Sequence, residues 1–272
     1  MDLKPYLTQR QALIQRALGI YLPPPKEFPD TIHRAMRYSV LGPGKRIRPI
    51  LALAACEAVG GNRTAVLPTA CALELIHAYS LVHDDLPAMD DDDFRRGKPS
   101  CHKKFGEAIG ILTGDALLTL SFQLLARGDQ HPSTTLKVIQ EVARAIGTEG
   151  MIGGQVADVT TNGDLSAARA EFINTRKTGA LIAASVRVGA LLGGAHLKPY
   201  RALSFYGERI GLVFQLVDDL LDQDGAVALN GADAVRKRAE RLTRSAIAAL
   251  APLGRKAQPL RGLAHFILTR GS

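Results

Sequence analysis

Residues 76–97 of the chain read IHAYSLVHDDLPAMDDDDFRRG, an apolar segment that ends in a run of aspartates. The apolar positions recur with helical spacing, and Pro87 makes continuation of the helix past the first aspartates unfavourable. Asp84 and Asp85 stand at the end of this helix, and Asp90 follows six residues after Asp84. We expect a local bulge to bring Asp90 back beside Asp84, which would gather several carboxylates at one helix end.

A second acidic cluster, FQLVDDLLD at residues 214–222, lies within an otherwise apolar helical segment. Residues four apart share one helix face, so Asp218 and Asp222 are predicted to project together, with Asp219 beside them. Such carboxylates are costly to bury without a positive partner, and the flanking turns contain no Arg or Lys. Two acidic clusters facing each other would form an oxygen cage suited to Mg²⁺, which takes its remaining ligands from water and substrate phosphates.

Basic and polar residues that could meet a phosphate accompany the two clusters. The segment GPGKRIRP at residues 42–49 carries Lys45 and Arg48 between a glycine break and a helix start. Because they are three positions apart, these two residues are expected to share one helix face. Arg offers a forked donor to phosphate oxygens. Further polar residues interrupt apolar helices: His77, Lys177, Thr178 and Gln215. Each of these alone also fits a structural role, such as a cap, a satisfied core histidine or a buried amide, and only their coincidence with the aspartates favours a site.

The composition favours a helical core. Apolar residues make up 46% of the 272 residues, but aromatic residues only 5%, and Trp is absent. A core of Ala, Leu, Ile and Val is typical of close-packed helices rather than of an aromatic-rich β-sandwich. No repeat, low-complexity segment or linker is visible, so we predict one all-α domain over residues 1–272, about ten helices around a central cavity. The predicted helices cover residues 7–18, 30–40, 48–59, 67–84, 107–126, 134–147, 152–159, 167–192, 200–221, 232–250 and 260–268.

Charge and cysteine content exclude little by themselves. The net charge of +8 fits a polyanionic small substrate or solvated helix faces, and the absence of an aromatic platform or zinc finger argues against nucleic acid. The three cysteines form no CxxC pair, which indicates reduced, buried thiols. Residues 1–5 lack the layout of a secretory signal, and the two best apolar stretches, near residues 110–125 and 179–194, are interrupted by Asp115 and Arg187. We therefore expect a cytoplasmic protein without a membrane span.

Five segments together resemble the trans-isoprenyl diphosphate synthases over nearly the whole chain. They are GPGKRIRP (42–49), residues 76–97 quoted above, GGQVAD (153–158), KTG (177–179) and FQLVDDLLD (214–222). By this resemblance Asp84, Asp85, Asp90, Asp218, Asp219 and Asp222 would hold Mg²⁺, with several ions per site bridged by the substrate diphosphate. Arg95, Lys177, Thr178 and Gln215 would surround the allylic diphosphate, and Lys45, Arg48, His77 and Arg96 would hold isopentenyl diphosphate. Asp84, Asp85, Asp90, Lys177, Thr178, Gln215 and Asp218 are the expected catalytic residues.

The resemblance implies a homodimer that joins isopentenyl diphosphate to dimethylallyl or geranyl diphosphate in a head-to-tail condensation. An aromatic residue at Tyr79 together with the long Asp84–Asp90 spacing is similar to bacterial farnesyl diphosphate synthases. Tyr79 would stop the growing chain, and the small Ser80 would leave room for fifteen carbons where a bulky residue would stop it at ten.

The chain departs from the family pattern at two places. Pro43 replaces a glycine that commonly precedes the Gly-Lys pair. After Asp222 the family has a loop with phosphate-binding lysine, whereas here Gly225 runs straight into a helix-like segment. A stretch between about residues 225 and 226 is therefore missing, either as a true deletion or as a mobile loop.

Other functions stay open on the sequence alone. The products geranyl or geranylgeranyl diphosphate are alternatives to farnesyl diphosphate. A metal-dependent phosphohydrolase would leave the second acidic cluster without a role, and a noncatalytic subunit of a heteromeric synthase would not need intact aspartates. A terpene cyclase is disfavoured, because its substrate has a single diphosphate and would leave Lys45, Arg48 and Arg96 with no second diphosphate to bind.

Overall fold

The computed structural model describes residues 3–127, 130–161, 166–223 and 225–270. Within these ranges the chain is almost entirely helical, which confirms the predicted all-α class. The elements, in chain order, are α1 (Leu3–Tyr21), α2 (Asp30–Val40), α3 (Ile47–Ala58), α4 (Arg63–Asp84), β1 (Phe94–Arg95), β2 (Lys98–Pro99), α5 (Cys101–Phe105), α6 (Glu107–Leu125), α7 (Pro132–Ile146), α8 (Met151–Val159), α9 (Ala167–Ile173), a π-helical segment (Asn174–Gly179), α10 (Ala180–Leu192), α11 (Leu197–Asp222), α12 (Gly225–Asn230), α13 (Ala232–Ala249), a 3₁₀ segment (Ala251–Ala257) and α14 (Gln258–Thr269).

The long helices lie where their periodicity predicts them, and the short elements were not predicted. The β1–β2 hairpin, α5 and α12 are two to six residues long, too short to carry a recognisable period. The predicted helix over residues 167–192 is wrong as a single element, because the π-helical segment divides it into α9 and α10.

Two compact units make up the chain. The first comprises Met1–Tyr6, Leu51–Val66 and Gln130–Ser272, and the second comprises Leu7–Ile50 and Leu67–Asp129. GGQVAD, KTG and the second acidic cluster belong to the first unit, whereas GPGKRIRP and the first acidic cluster belong to the second. The single domain expected from the sequence stays a prediction.

In the second unit, α2 packs against α5 and α6, and α5 packs against α6. Its core is made of aliphatic side chains that are wholly shielded from solvent: Ile14, Leu18, Leu73, Leu75, Ile76 and Leu117. Burying a side chain of this size stabilises the folded state by about 1.5–3 kcal/mol. This core therefore stabilises the position of the end of α4 and of its aspartates.

In the first unit, α11 packs against α10 and α13, and α10 packs against α7. Leu181 and Ile182 of α10 are fully buried, as is Tyr206 of α11, whose hydroxyl donates to the Leu260 carbonyl at 2.6 Å. A smaller cluster of Leu216, Ala226, Val235 and Ala239 joins α11 to α12 and α13. The second acidic cluster therefore sits on a helix packed along most of its length.

All three cysteines (Cys56, Cys71 and Cys101) are free and buried, as the sequence predicts. Burial raises the pKa of the Cys56 thiol to about 11 and that of the Cys71 thiol to about 12. Such thiols stay protonated and unreactive near neutral pH, which fits a role in packing.

By length and hydropathy, α4 and α6 could each cross a membrane, which the sequence-based expectation did not allow for. In α4, 67% of the apolar window is buried within the protein, as in an ordinary core helix. In α6 only 39% of the window is buried, because Ile111 and Leu112 face outward. Two such helices are weak evidence for a membrane span, and α6 instead presents an apolar surface.

Candidate active site

The first acidic cluster has the bulge that the sequence predicts. Helix α4 ends at Asp84, and the backbone N–H of Asp90 donates to the Asp84 carbonyl at 2.9 Å. The N–H of Asp91 returns to the Leu86 carbonyl at 3.2 Å, and Asp91 adopts a left-handed φ of 52°. The intervening residues thus form a tight turn, which places the backbone of Asp90 beside that of Asp84 despite the six-residue spacing.

Asp85 is held by a protein cation. Its side chain is only 4% exposed, and one carboxylate oxygen accepts hydrogen bonds from Nε of Arg95, at 2.8 Å, and from Nη2 of the same residue. Burial raises the pKa of Asp85, and the Arg95 guanidinium opposes that shift. Arg95 also reaches Asp92 at 3.0 Å. Asp85 therefore fixes Arg95 of the hairpin beside the helix end.

Tyr79 lies buried one turn and a half before Asp84, at 6% exposure, and Ser80 follows it. Burial and the Asp84 carboxylate raise the pKa of Tyr79 to about 12, so the phenol stays neutral. Its hydroxyl has no hydrogen-bond partner within the described ranges. The Ser80 hydroxyl donates to the His77 carbonyl at 3.0 Å. A rigid ring with an unsatisfied hydroxyl fits the predicted chain-length position, which stays a prediction.

Several arginines surround His77 in the second unit. Burial is the main cause that lowers the His77 pKa well below 6.5, and Arg48, Arg96, Arg46 and Arg95 lower it further. A cavity of about 70 Å³ is lined by residues that include Arg46, Glu74, His77, Asp85, Arg95 and Arg96. A neutral imidazole among guanidinium groups is an environment that favours an anion.

The predicted isopentenyl diphosphate residues are partly gathered there. The charges of Arg48 and Arg96 lower the pKa of His77. Arg96 also donates a hydrogen bond to the Pro43 carbonyl at 2.6 Å. Lys45 is exposed and lies before α3, which begins at Ile47, so it does not share a helix face with Arg48 as the sequence suggested. Arg46 and Glu74 also line the cavity, and no role for either residue was predicted from the sequence.

In the first unit, the GGQVAD and KTG segments pack against each other. Lys177 lies in the π-helical segment, and its Nζ donates to Asp158 Oδ2 of α8 at 2.7 Å. A Cβ on Gly154 would come within 2.2 Å of the Lys177 backbone nitrogen, so only glycine permits this approach. Thr178 follows and is half-buried. Asp158 thus holds Lys177, a contact that sequence analysis did not assign.

Asp219 of the second cluster is buried and accepts three hydrogen bonds. They come from Gln215 Nε2 at 2.9 Å, Asn174 Nδ2 at 3.2 Å and the backbone N–H of Ala226 at 2.9 Å. The Asp219 carboxylate therefore joins α11 to the π-helical segment and to the start of α12. Gln215, predicted to meet the allylic substrate, contacts Asp219 here.

Asp218 has a basic partner that no flanking turn supplies. Arg270, just after α14, donates from Nη2 to Asp218 Oδ1 at 2.6 Å and to the Phe214 carbonyl at 2.8 Å. Its guanidinium lies 3.6 Å from the centroid of the Phe214 ring. Asp222 is the exposed last residue of α11, one turn beyond Asp218 on the same helix.

Gly225 and Ala226 are consecutive residues of α12, and the missing stretch expected between them stays a prediction. Asp224, between α11 and α12, lies outside the described residues. Gly225 has a left-handed φ of 49°. It lies against the Asp219 carboxylate, because a Cβ added at Gly225 would be 2.9 Å from the carboxylate carbon of Asp219. The start of α12 therefore packs against the acidic cluster.

The oxygen donors of both clusters fit Mg²⁺ in kind. Asp84, Asp90, Asp218 and Asp222 are half-buried or exposed carboxylates, the donor type that this ion prefers. Asp85 and Asp219 accept several hydrogen bonds from protein donors, which suits them better to orienting neighbours than to direct ligation. A separate group, Asp91, Asp93 and His102, has one ligand atom of each residue within 4.8 Å of the others, and Lys103 pairs with Asp93 at 2.7 Å.

Comparison with known proteins gives consistent matches. The sequence model of the family named polyprenyl synthetase matches residues 29–237. A geranylgeranyl pyrophosphate synthase from Arabidopsis thaliana is 45% identical over 82% of this chain, and the match spans 60% of the length of that relative. A farnesyl diphosphate synthase from Geobacillus stearothermophilus is 45% identical over 83% of this chain and 77% of its own length. The crystal structure of an FPP/GFPP synthase from Zymomonas mobilis superposes with a TM-score of 0.93 and 38% identity, covering 98% of this chain and 99% of the other.

Proposed function

The chain belongs to the polyprenyl synthetase family, and on that premise we propose that it condenses isopentenyl diphosphate with an allylic diphosphate in a Mg²⁺-dependent reaction. The proposed primers are dimethylallyl and geranyl diphosphate, and the proposed product is farnesyl diphosphate with release of diphosphate. The observation that carries the proposal is the cluster of arginines around His77, next to the aspartates that end α4.

This arrangement favours a diphosphate over a neutral ligand. Burial is the main cause that lowers the pKa of the His77 imidazole, and the positive charges of four nearby arginines lower it further, so the imidazole is neutral and its surroundings favour an anion. Arg offers paired donors in the geometry of phosphate oxygens. We assign the isopentenyl diphosphate to Lys45, Arg48, His77 and Arg96.

The aspartates serve the allylic substrate. We propose that Asp84, Asp90, Asp218 and Asp222 ligate Mg²⁺, with Asp85 and Asp219 orienting their neighbours. Mg²⁺ held by these residues would supply positive charge to the leaving diphosphate, which would ease ionisation of the allylic carbon–oxygen bond. Arg95, Lys177, Thr178 and Gln215 add protein donors to the same group, because donors aimed at developing charge stabilise a transition state.

Carbon–carbon bond formation then depends on the proximity of the two substrates and on the exclusion of water from the site. The arginines hold isopentenyl diphosphate with its double bond toward the allylic carbon, which makes the attack effectively unimolecular. The double bond gives its electron pair to the allylic cation, and the resulting tertiary cation loses a proton to the departing diphosphate. The buried apolar surface around Tyr79 supports this chemistry, because water would quench either cation.

Farnesyl diphosphate is the product that Tyr79 supports best. The Tyr79 ring is buried and lies on the helix that ends at Asp84, where a growing prenyl chain would contact it. The relatives described above include both a farnesyl and a geranylgeranyl diphosphate synthase, so geranylgeranyl diphosphate is the second candidate product.

A homodimer is the proposed assembly, with α6 at the interface. Ile111 and Leu112 are 48% and 53% exposed on this helix, although its sequence is among the most apolar in the chain. Covering them with the same helix of a second copy would remove this surface from water. Replacement of Leu112 with Glu should shift the sedimentation coefficient from dimer to monomer, and a wild-type monomer at micromolar concentration would contradict the assignment.

The test is a turnover assay with the purified protein alone. Labelled isopentenyl diphosphate is incubated with dimethylallyl or geranyl diphosphate and Mg²⁺, and the products are dephosphorylated and separated by chromatography. Farnesol is expected, and chelation with EDTA should abolish it. Inorganic phosphate without a longer chain would identify a hydrolase, and activity only after a second protein is added would identify a subunit of a heteromeric synthase.

A further inference from the structure

We propose that Arg46, paired with Glu74, is the positioning residue of the isopentenyl diphosphate site, an inference that rests on the proposed function. Arg46 would not contact the substrate. It would fix the loop between α2 and α3, and this loop carries or supports Lys45, Arg48 and Arg96.

Arg46 is tied to four acceptors in the second unit. Its Nη1 donates to Glu74 Oε1 at 2.6 Å, and the two side chains are 4% and 5% exposed. Its Nη2 donates to the carbonyls of Val40 and Gly42, both at 2.7 Å, and to Gln15 Oε1 at 3.0 Å. One guanidinium thus joins the end of α2, the loop after it, α1 and α4. A planar fork can do this, but the three donors of an ammonium group on a flexible stem cannot reproduce it.

The backbone of Arg46 shows how tightly this loop is determined. Arg46 has a φ of 52°, in the left-handed region that side chains other than glycine rarely adopt. Such a conformation persists only where the surroundings over-determine it. The Arg46 carbonyl accepts from Ile50 N–H at 3.1 Å and so begins the hydrogen bonding of α3. The side chain of Arg46 therefore sets the backbone on both sides of it, at Lys45 and at Arg48.

Arg96 contacts the same loop from the hairpin side. Its Nη1 donates to the Pro43 carbonyl, and a Cβ on Gly44 would lie 2.8 Å from that nitrogen and 3.2 Å from Arg46 Nη1. Gly44 thus lets two guanidinium groups approach one stretch of backbone. The position of Arg96 therefore depends on the loop between α2 and α3, whose backbone Arg46 fixes through its hydrogen bonds to the Val40 and Gly42 carbonyls.

The charges separate positioning from attraction. Arg46 and Glu74 are a buried pair of opposite sign, so replacing both with neutral residues leaves the net charge of the unit unchanged. Neutralising both leaves the charges of Lys45, Arg48 and Arg96 unchanged and removes only the geometry. Neutralising one leaves an uncompensated buried charge, which can unfold the unit. The informative change is therefore the double replacement.

The experiment compares Arg46→Gln/Glu74→Gln with wild type in steady-state assays. We expect KM for isopentenyl diphosphate to rise about tenfold, with kcat and KM for geranyl diphosphate changing less than about twofold. Calorimetric titration of isopentenyl diphosphate without a primer should show a matching rise in Kd. The matched control is Arg34→Gln/Asp30→Asn, which removes an exposed pair of the same unit, with side chains 54% and 51% exposed. It should leave both KM values unchanged.

Arg46→Lys provides a second variant, because it keeps a positive charge beside the buried Glu74 carboxylate and so leaves no uncompensated buried charge. It should raise KM for isopentenyl diphosphate in the same selective way. The inference is overturned if a folded variant keeps wild-type KM and Kd for isopentenyl diphosphate, or if both substrates weaken equally. Failure of the proposed function is a different result, in which wild-type protein forms no prenyl product with any primer.

Discussion

Arg270 and Asp218 are joined by a 2.6 Å hydrogen bond although 52 residues separate them in the sequence. The Arg270 side chain is 5% exposed, and that of Asp218 is 34% exposed. A guanidinium therefore occupies one oxygen of a carboxylate that we assign to Mg²⁺. Any ion that ligates this oxygen must compete with Arg270.

Arg270→Gln should strengthen metal binding, because it removes the competing cation. We expect the Kd for Mn²⁺, used as a paramagnetic substitute for Mg²⁺, to fall about three- to tenfold in a spin-resonance titration. Arg261→Gln is the control, since Arg261 in α14 donates to the backbone carbonyls of Gly254 and Leu250 instead. An unchanged Mn²⁺ affinity for Arg270→Gln would show that Arg270 does not compete with the ion, and a weaker affinity would show that Arg270 helps to form the site.

Tyr79→Ala should lengthen the products, because it removes a buried ring on the helix that bears Asp84. Truncating a buried aromatic side chain costs about 3–5 kcal/mol, so the assay is run well below the melting temperature of the variant. Chromatography of the dephosphorylated products should show geranylgeraniol or longer alcohols. If farnesol is still the only alcohol, Tyr79 does not limit the chain.

Ser80→Phe should have the opposite effect. The Ser80 hydroxyl donates to the His77 carbonyl one turn back, so losing this local bond is inexpensive. A phenyl ring at this position would fill space that a chain of fifteen carbons needs. Geraniol should then become the main alcohol. Ser80→Ala is the matched control and should leave the product unchanged.

His77 should make the protein less stable in acid. Its pKa is lowered by burial and by the neighbouring arginines, so the unfolded chain binds a proton near pH 6.5 while the folded chain does not. The stability that this neutral imidazole provides is therefore complete above pH 6.5 and is lost as the pH falls. The loss approaches about 1.4 kcal/mol for each pH unit below that point. His77→Gln should remove this part of the pH dependence in urea unfolding between pH 7.5 and 5.5.

Gly154→Ala should disrupt the contact between α8 and the π-helical segment. The new Cβ would lie 2.2 Å from the Lys177 backbone nitrogen, so the segment must move, and Lys177 should lose its ion pair with Asp158. We expect kcat to fall at least about tenfold. The control is Gly19→Ala in α1, where nothing lies within 4 Å and alanine should stabilise the helix by up to about 1 kcal/mol. Equal activity in both variants would refute a role for this packing.

Much of the fold followed from local patterns in the sequence. The long helices have the apolar period that predicts them, and the turn between Asp84 and Asp90 follows from a proline and a six-residue spacing. The family resemblance was confirmed because five separate segments carried it.

What the sequence could not supply were contacts between distant residues. Nothing near Asp218 indicates Arg270, and nothing near Arg46 indicates Glu74, because each pair forms only when separate helices pack. Asp85 and Asp219 look like their aspartate neighbours in sequence. Their burial and their hydrogen bonds with Arg95, Gln215 and Asn174 distinguish them.

The π-helical segment from Asn174 to Gly179 changes the helical register of the side chains of α10, which follows it. Each residue of an α-helix advances the side-chain direction by about 100°, and a wider turn holds one residue more than an α-turn does. An amphipathic pattern counted forward from α9 would therefore assign the side chains of α10 to the wrong side. Deleting a single residue from this segment would restore an unbroken α-helix and rotate Lys177 away from Asp158, so a relative shortened by one residue here would be expected to hold its lysine differently.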